Sequence, residues 1–74
     1  MEYDYSKLKG RVVECFGTQE AFSREIGMSP AGLSAKLRNL TGFTQDEICA
    51  ACLALNIPAR QISQYFFTHK VQKN

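Results

Sequence analysis

Signals that end one helix and start the next recur at short intervals, and this spacing limits the chain to a fold of short helices. Gly17 is followed at once by Thr18, and Gly27 is followed closely by Ser29 and Pro30. Glycine accepts the left-handed backbone that ends a helix, whereas Ser or Thr before a helix, or Pro at its first position, favours a helix start. We therefore predict an all-α fold.

Apolar residues at helical spacing between these signals predict five helices, at residues 5–16, 19–26, 30–38, 45–55 and 59–67. Thr44 and Glu47 form a capping-box pattern at the start of the fourth helix. That helix is apolar nearly all round, which predicts a place in the middle of the bundle. Residues 68–74 are expected to form a flexible or partner-dependent tail.

The length and composition indicate one compact domain covering residues 1–74. A 74-residue chain that is 45% hydrophobic and 22% charged is too short for a second core and too apolar for disorder. Its apolar runs fall short of the roughly 18–20 residues that span a bilayer. The N-terminus lacks the basic and apolar regions of a signal peptide. We expect a cytoplasmic protein that does not bind membranes.

Charge is unevenly distributed, although the formal net charge is only +2. No acidic residue lies between Glu25 and Asp46, and none follows Glu47. A modest positive bias therefore falls on the central stretch and on the tail. Such a bias is compatible with a surface that faces a polyanion.

The second and third helices, joined by Gly27, Met28 and Ser29, have the spacing of a helix-turn-helix. In that arrangement the second helix of the pair enters the major groove of DNA. The predicted DNA-contacting residues are Thr18, Gln19, Ser29, Pro30, Ala31, Gly32, Ser34, Ala35, Lys36, Arg38 and Asn39. A similar helix pair also occurs in bundles that bind no DNA, where Gly32 would only let two helices approach closely.

Residues 17–29, continued by Leu33 and Leu37, resemble the lambda-repressor-like (Cro/CI, XRE-type) DNA-binding family. Residues 3–8, 16–18, 43–48 and 65–73 resemble the very short phage and prophage repressors of Gram-positive bacteria within that family. The resemblance covers nearly the whole chain. It implies a compact five-helix domain and a sequence-specific repressor that binds double-stranded operator DNA, an inverted repeat, as a homodimer.

The resemblance also implies roles for single residues. Gln19 matches a glutamine that contacts the DNA backbone, Arg38 matches a phosphate-contacting position, and the groove-facing positions are Ala31, Gly32, Ser34 and Ala35. Pro30 and Ala31 depart from the family, because relatives often carry long polar side chains there. Ser23 departs mildly, since it replaces the usual alanine where the two helices cross. Because Pro30 and Ala31 replace those long polar side chains, direct base contacts are expected to be few.

The cysteines and the histidine allow a chemical interpretation that we consider weaker than a structural one. Cys49 and Cys52 form a Cys-x-x-Cys pair, which Cys15 and His69 would have to complete as a zinc site. Structural zinc normally takes a second closely spaced pair of ligands, which the chain lacks. We interpret the cysteines as reduced, mostly buried core residues. No metal, cofactor, small-molecule ligand or enzymatic activity is expected.

Tyr65, Phe66 and Phe67 give the chain a late aromatic cluster, which is either core or a dimer interface. A reader of two DNA half-sites needs two-fold symmetry, so we predict that the three residues dimerise the protein. A second function remains open. The small residues of the third helix also suit a protein-interaction module, antirepressor-like, that keeps the fold without binding DNA.

Overall fold

The computed structural model describes residues 2–71 and shows five α-helices in this range. They are α1 (Ser6–Phe16), α2 (Gln19–Glu25), α3 (Pro30–Leu37), α4 (Gln45–Leu55) and α5 (Ile62–Phe66), with a 3₁₀ turn (Ala59–Gln61) before α5. Residues 2–71 contain no β-strand beyond a single antiparallel bridge between Tyr3 and His69. The predicted all-α, five-helix fold is confirmed.

Each of three helices starts at a side-chain cap that the sequence predicts. Thr18 accepts a hydrogen bond from the Ala21 N–H at 3.1 Å, and Ser29 accepts one from the Gly32 N–H at 3.0 Å. The Thr44 hydroxyl accepts from the Glu47 N–H, while the Glu47 carboxylate accepts from the Thr44 N–H. These caps satisfy N–H groups that have no partner inside the helix.

Residues with positive φ follow α1, α2, α3 and α4 at or near their ends. Gly17 and Gly27 have φ of 81° and 72°, and Asn39 and Asn56 have φ of 65° and 55°. Asparagine tolerates this region better than other residues with a side chain. The left-handed conformation predicted at Gly27 is confirmed.

Helix α1 lies at the centre of the fold and packs against α2, α4 and α5, while α3 packs against α2. Its Leu8 and Val12 are fully buried. The core is completed by Tyr5, Phe22, Leu33, Leu37, Ala51, Cys52, Leu55, Ile57, Tyr65 and Phe66. The core therefore draws on every helix, and it supports one side of the α2–α3 pair.

The prediction that α4 lies in the middle of the bundle is wrong. Ala51, Cys52 and Leu55 are buried, but Cys49 is exposed and the side chain of Leu53 is 83% exposed. A fold of this size has too few elements to surround α4, and even α1 has exposed apolar residues such as Val13, which is 57% exposed. Composition alone could not show which side of α4 would be left without a neighbour.

The two ends of the described chain are held together. Asp4 N–H donates to Thr68 C=O at 2.7 Å, and Lys70 N–H donates to Glu2 C=O at 3.1 Å. Part of the predicted tail is thus hydrogen-bonded to the N-terminal segment, and residues 72–74 lie outside the described residues. No helix within residues 2–71 has the length and apolar character needed to cross a bilayer.

Candidate interaction face of helices α2 and α3

Helices α2 and α3 form a tight pair in which the core fixes the angle of approach. Met28, in the connection, donates its N–H to the Ser23 C=O at 2.8 Å. Ser23 is fully buried, and its hydroxyl donates to the Glu20 C=O at 2.7 Å, so this departure from alanine is accommodated by a hydrogen bond. Phe22 and Leu33 anchor the two helices in the core. The opposite side of the pair is left facing outward.

Six of the eleven predicted DNA-contacting residues are exposed and five are half-buried. The exposed ones are Thr18, Gln19, Ser29, Pro30, Ala31 and Arg38, and the half-buried ones are Gly32, Ser34, Ala35, Lys36 and Asn39. Two of the exposed side chains, Thr18 and Ser29, already act as helix caps. We define the α2–α3 face as Gln19, Pro30, Ala31, Ser34, Ala35 and Arg38.

Gly32 is explained by the cap of its own helix. A Cβ at this position would lie 2.9 Å from the Ser29 hydroxyl oxygen and 3.8 Å from Met28 Cγ, with no atom of α2 within 4 Å. The interpretation of Gly32 as a point of close helix approach is therefore wrong. Glycine leaves room for the capping hydroxyl of Ser29.

Lys36 does not point into the α2–α3 face. Its ammonium lies 2.9 Å from the Gly42 C=O and 3.1 Å from a carboxylate oxygen of Glu47, and its side chain is only 14% exposed. The hydrogen bond from the Thr44 N–H, aided by Lys36, holds the pKa of the Glu47 carboxyl below its usual range. Contact of Lys36 with a partner's phosphate would require breaking this pair, so the structure argues against its predicted DNA role.

Asn39 is also engaged inside the molecule. Its side-chain oxygen accepts from the Tyr3 N–H at 2.9 Å, and its side-chain nitrogen donates to the Tyr3 C=O at 3.0 Å. The amide thus pairs with the Tyr3 backbone much as a neighbouring strand would. A DNA contact by this side chain would require giving up both hydrogen bonds, which again argues against the prediction.

The charges around α2 and α3 nearly cancel. Residues 18–38 contain the acids Glu20 and Glu25 and the bases Arg24, Lys36 and Arg38. Arg24 forms an exposed ion pair with Glu20 at 3.2 Å, and Lys36 is paired with Glu47. Binding to DNA is driven largely by cations that neutralise phosphates. The α2–α3 face offers Arg38 and little other positive charge.

Two of the three residues predicted to dimerise the protein belong to the core. The side chains of Tyr65 and Phe66 are 9% and 1% exposed, whereas Phe67 is 46% exposed. The ring of Phe66 packs edge-on against Phe43 at 5.3 Å between centroids. Because α5 turns Tyr65 and Phe66 inward, their burial argues against the predicted dimer contacts. Of the three residues, only Phe67 can contact a partner without repacking of the core.

The cysteines differ from one another in burial. Cys52 is buried, and burial, together with the nearby Cys49, raises the pKa of its thiol. Cys15 and Cys49 are exposed, so the prediction that the cysteines are mostly buried holds for Cys52 alone. Within residues 2–71, no three His, Cys, Asp or Glu side chains are grouped so that they could hold a metal ion.

Sequence reasoning missed the structural role of Tyr3. Its backbone is held by Asn39, and its ring lies 5.4 Å from that of His69 and 5.9 Å from that of Phe67. These contacts join residues far apart in the chain. No local pattern in the sequence signals these contacts.

Comparison with known proteins assigns the chain to a family. The family described as "Protein of unknown function (DUF739)" matches residues 1–69. The chain belongs to the DUF739 family. Curated proteins gave no match.

A solved structure of a phage protein is similar to this DUF739 member over almost its entire length. It is the solution structure of the modulator of repression (MOR) of the temperate bacteriophage TP901-1 from Lactococcus lactis. The two chains are 39% identical with a TM-score of 0.80, and the match covers 97% of each. The chain is thus related to a phage regulatory protein.

These matches correct the identification as a Cro/CI, XRE-type repressor. Within residues 17–37, the residues on which it rested include helix caps, a turn glycine and core leucines. Any tightly joined helix pair needs such residues, whatever it binds. They predicted the fold of the α2–α3 pair correctly but could not distinguish one family from another.

Proposed function

We propose that this protein is a protein-binding regulator that contacts a phage repressor and alters its action on DNA. The observation that carries the proposal is the 39% identity, over 97% of both chains, to a phage modulator of repression. It acts by association, without catalysis. This function corresponds to the protein-interaction module that the small residues of α3 left open.

The α2–α3 face supports a protein partner on physical grounds. Its exposed residues on α3 are small, the Lys36 ammonium is paired with Glu47 within the molecule, and Glu20 offsets the charge of Arg24. The cores of protein–protein interfaces are depleted of charge, whereas DNA-binding surfaces concentrate it. We therefore place the repressor contact on this face, centred on Ala31.

The test measures three binding equilibria with one operator duplex: the chain with the repressor, the repressor with the operator, and the chain with the operator. The repressor of the same phage is titrated with the full chain by calorimetry, and repressor–operator affinity is followed by fluorescence anisotropy with and without the chain. We expect the chain to bind the repressor, to change its operator affinity, and to leave the operator unbound when added alone at low salt. A chain that binds neither repressor nor repressor–operator complex overturns the proposal.

A matched pair of substitutions locates the contact. Ala31→Asp adds a charge in the middle of the α2–α3 face, and Ala59→Asp adds the same charge at the exposed 3₁₀ turn. Both positions lie in the first turn of a helix, where an acid is tolerated. Because an unpaired charge is costly to bury in an interface, we expect Ala31→Asp alone to weaken repressor binding by about tenfold or more.

DNA binding by the same face is a second candidate, favoured by exposed Gln19 and Arg38 on a helix pair with a short connection. It predicts that the chain alone retains duplex DNA, with affinity that falls steeply as salt rises. Arg38→Gln and Gln19→Ala would then abolish retention. Repressor binding that is unaffected by both substitutions, with no retention of DNA by the unmodified chain, eliminates this candidate.

A further inference from the structure

The backbone of the C-terminal segment has an open side at His69. Tyr3 and His69 face each other in the antiparallel bridge, and the hydrogen bonds of the bridge are made by the residues beside them. In a pair of this kind, the N–H and C=O groups of the two facing residues point away from each other. Tyr3 and His69 therefore each direct two backbone groups outward, on opposite sides of the bridge.

The two outer sides differ. On the side of Tyr3, the Asn39 amide occupies both backbone groups at 2.9 and 3.0 Å. On the other side, the N–H and C=O of His69 have no hydrogen-bond partner among residues 2–71. In an extended segment, groups two residues apart point the same way, so an extended continuation of the bridge adds those of Val71 to the row. We call the outward backbone groups of His69 and Val71 the C-terminal edge.

The side chains of the C-terminal edge are exposed and carry no negative charge. His69 and Lys70 are exposed, and Val71 is 89% exposed. No acid follows Glu47 in the sequence, and Lys70 lies between the two residues of the edge. An apolar side chain beside basic ones suits an extended segment that alternates apolar and acidic residues.

The acidic residues of the N-terminal segment do not cancel this preference for an acidic partner segment. Lys70 contacts Glu2 at 3.1 Å, but both side chains are more than half exposed, and such a pair is weak in water. A strand added to the C-terminal edge would lie about 5 Å from the segment that carries Lys70 and about twice as far from the one that carries Glu2. The charge nearer to the added strand is the positive one of Lys70.

We infer that the C-terminal edge binds an extended, acidic segment of a partner protein as an added β-strand. Backbone hydrogen bonds to His69 and Val71 would supply the attachment, and the Lys70 ammonium would select the acidic segment. A second copy of the chain fits poorly, because antiparallel self-pairing would set the basic side chains of two copies against each other. The identification of the partner as a repressor rests on the proposed function, whereas the binding of an acidic strand by the C-terminal edge does not.

A peptide probe tests the edge without a repressor. The ¹⁵N-labelled full chain is titrated with a six-residue peptide that alternates valine and glutamate, and with a control that alternates valine and lysine. We expect saturable shifts of the His69 and Val71 amides and slowed hydrogen exchange there, with about tenfold weaker binding of the lysine peptide. No response of these amides to the acidic peptide, or equal binding of both peptides, overturns the inference.

Two substitutions at Val71 separate the backbone from the side chain. Val71→Pro removes the outward N–H, and Val71→Ala keeps it while shortening the exposed side chain. Neither disturbs the core, since Val71 is 89% exposed. Because one hydrogen bond is lost, we expect Val71→Pro to weaken acidic-peptide binding about three- to tenfold relative to Val71→Ala. Equal binding by the two variants overturns the inference.

The same variants applied to the repressor distinguish the two proposals. A repressor that binds the unmodified chain, and binds Val71→Pro about three- to tenfold more weakly than Val71→Ala, supports both. Equal repressor binding by the Val71 variants retains the proposed function and overturns the edge as its attachment. If the repressor does not bind the unmodified chain, the proposed function is overturned. The peptide titration is then the remaining test of strand binding at the C-terminal edge. Amide protection that grows with protein concentration without peptide shows that a second copy covers the edge, which also overturns the inference.

Discussion

Asn39 combines two properties that are usually found in different residues. Its backbone is left-handed, with φ of 65°, and its side chain makes two hydrogen bonds to the backbone of Tyr3. Asn56 shares the left-handed backbone, with φ of 55°, and its exposed side chain makes no hydrogen bond to residues 2–71. Comparing Asn39 with Asn56 therefore separates the conformational role of asparagine from its role in tertiary structure.

Asn39→Gly should therefore destabilise the fold more than Asn56→Gly does. Glycine accepts positive φ at both positions, but only Asn39→Gly loses two hydrogen bonds. At roughly 0.5–1.5 kcal/mol for each bond, we expect a loss of about 1–3 kcal/mol for Asn39→Gly and within about 0.5 kcal/mol for Asn56→Gly. Urea unfolding measures both. Equal losses would show that the Asn39 amide contributes nothing beyond its backbone conformation.

Glu47 links the cap of α4 to Lys36 on α3, and this link predicts that the free energy of unfolding depends on pH. The Thr44 N–H and then Lys36 lower the pKa of the Glu47 carboxyl below 4.5, so the folded state favours its charged form. The resulting stability is present above the unfolded pKa and is lost as pH falls through the folded one. We expect the difference in unfolding free energy between unmodified protein and Glu47→Gln to shrink from neutral pH to about pH 3. A constant difference would contradict this.

At the scale of helices, the sequence predicted much of the fold because caps and stops are local. The bounds of α4 matched those observed, and α1 to α3 differed by a residue at one end. The 3₁₀ turn Ala59–Gln61 was merged with α5, since both place apolar residues at similar spacing. Which side of α4 stays exposed, and where Lys36 and Asn39 point, depend on contacts between distant residues. No local pattern encodes those contacts.

Helix α1 contains a position that can be improved. Gly10 lies inside the helix, where an added Cβ would meet no atom within 4 Å apart from its chain neighbours and the backbone of its own helix, whereas Gly17 ends the helix with φ of 81°. Gly10→Ala should stabilise the protein by about 0.5–1 kcal/mol, because alanine loses less backbone freedom on helix formation. Gly17→Ala should destabilise it by about 1 kcal/mol, because a side chain is strained at positive φ. Thermal unfolding of both variants checks the opposite signs.

For the whole molecule, the joined termini explain how a small bundle holds both ends of its described chain. Residues 2–4 lie between the Asn39 amide on one side and residues 68–70 on the other. The C-terminal end of α3 and the segment after α5 are thereby connected through Tyr3. A partner that binds the C-terminal edge would act on the same connected unit that carries the α2–α3 face.

A chain shortened to end at Phe67 tests this connection. It loses the hydrogen bonds of Asp4 to Thr68 and of Lys70 to Glu2, and at about 0.5–1.5 kcal/mol each we expect a loss of about 1–3 kcal/mol in unfolding free energy. The amide of Tyr3 should also exchange faster, since its bond to Asn39 is no longer supported from the opposite side. A chain ending at Val71 is the control and should unfold within about 0.5 kcal/mol of the full chain, because it keeps both hydrogen bonds. If the two shortened chains are equally stable, the termini contribute nothing to the fold, and the C-terminal edge has no rigid support on which a partner strand could align.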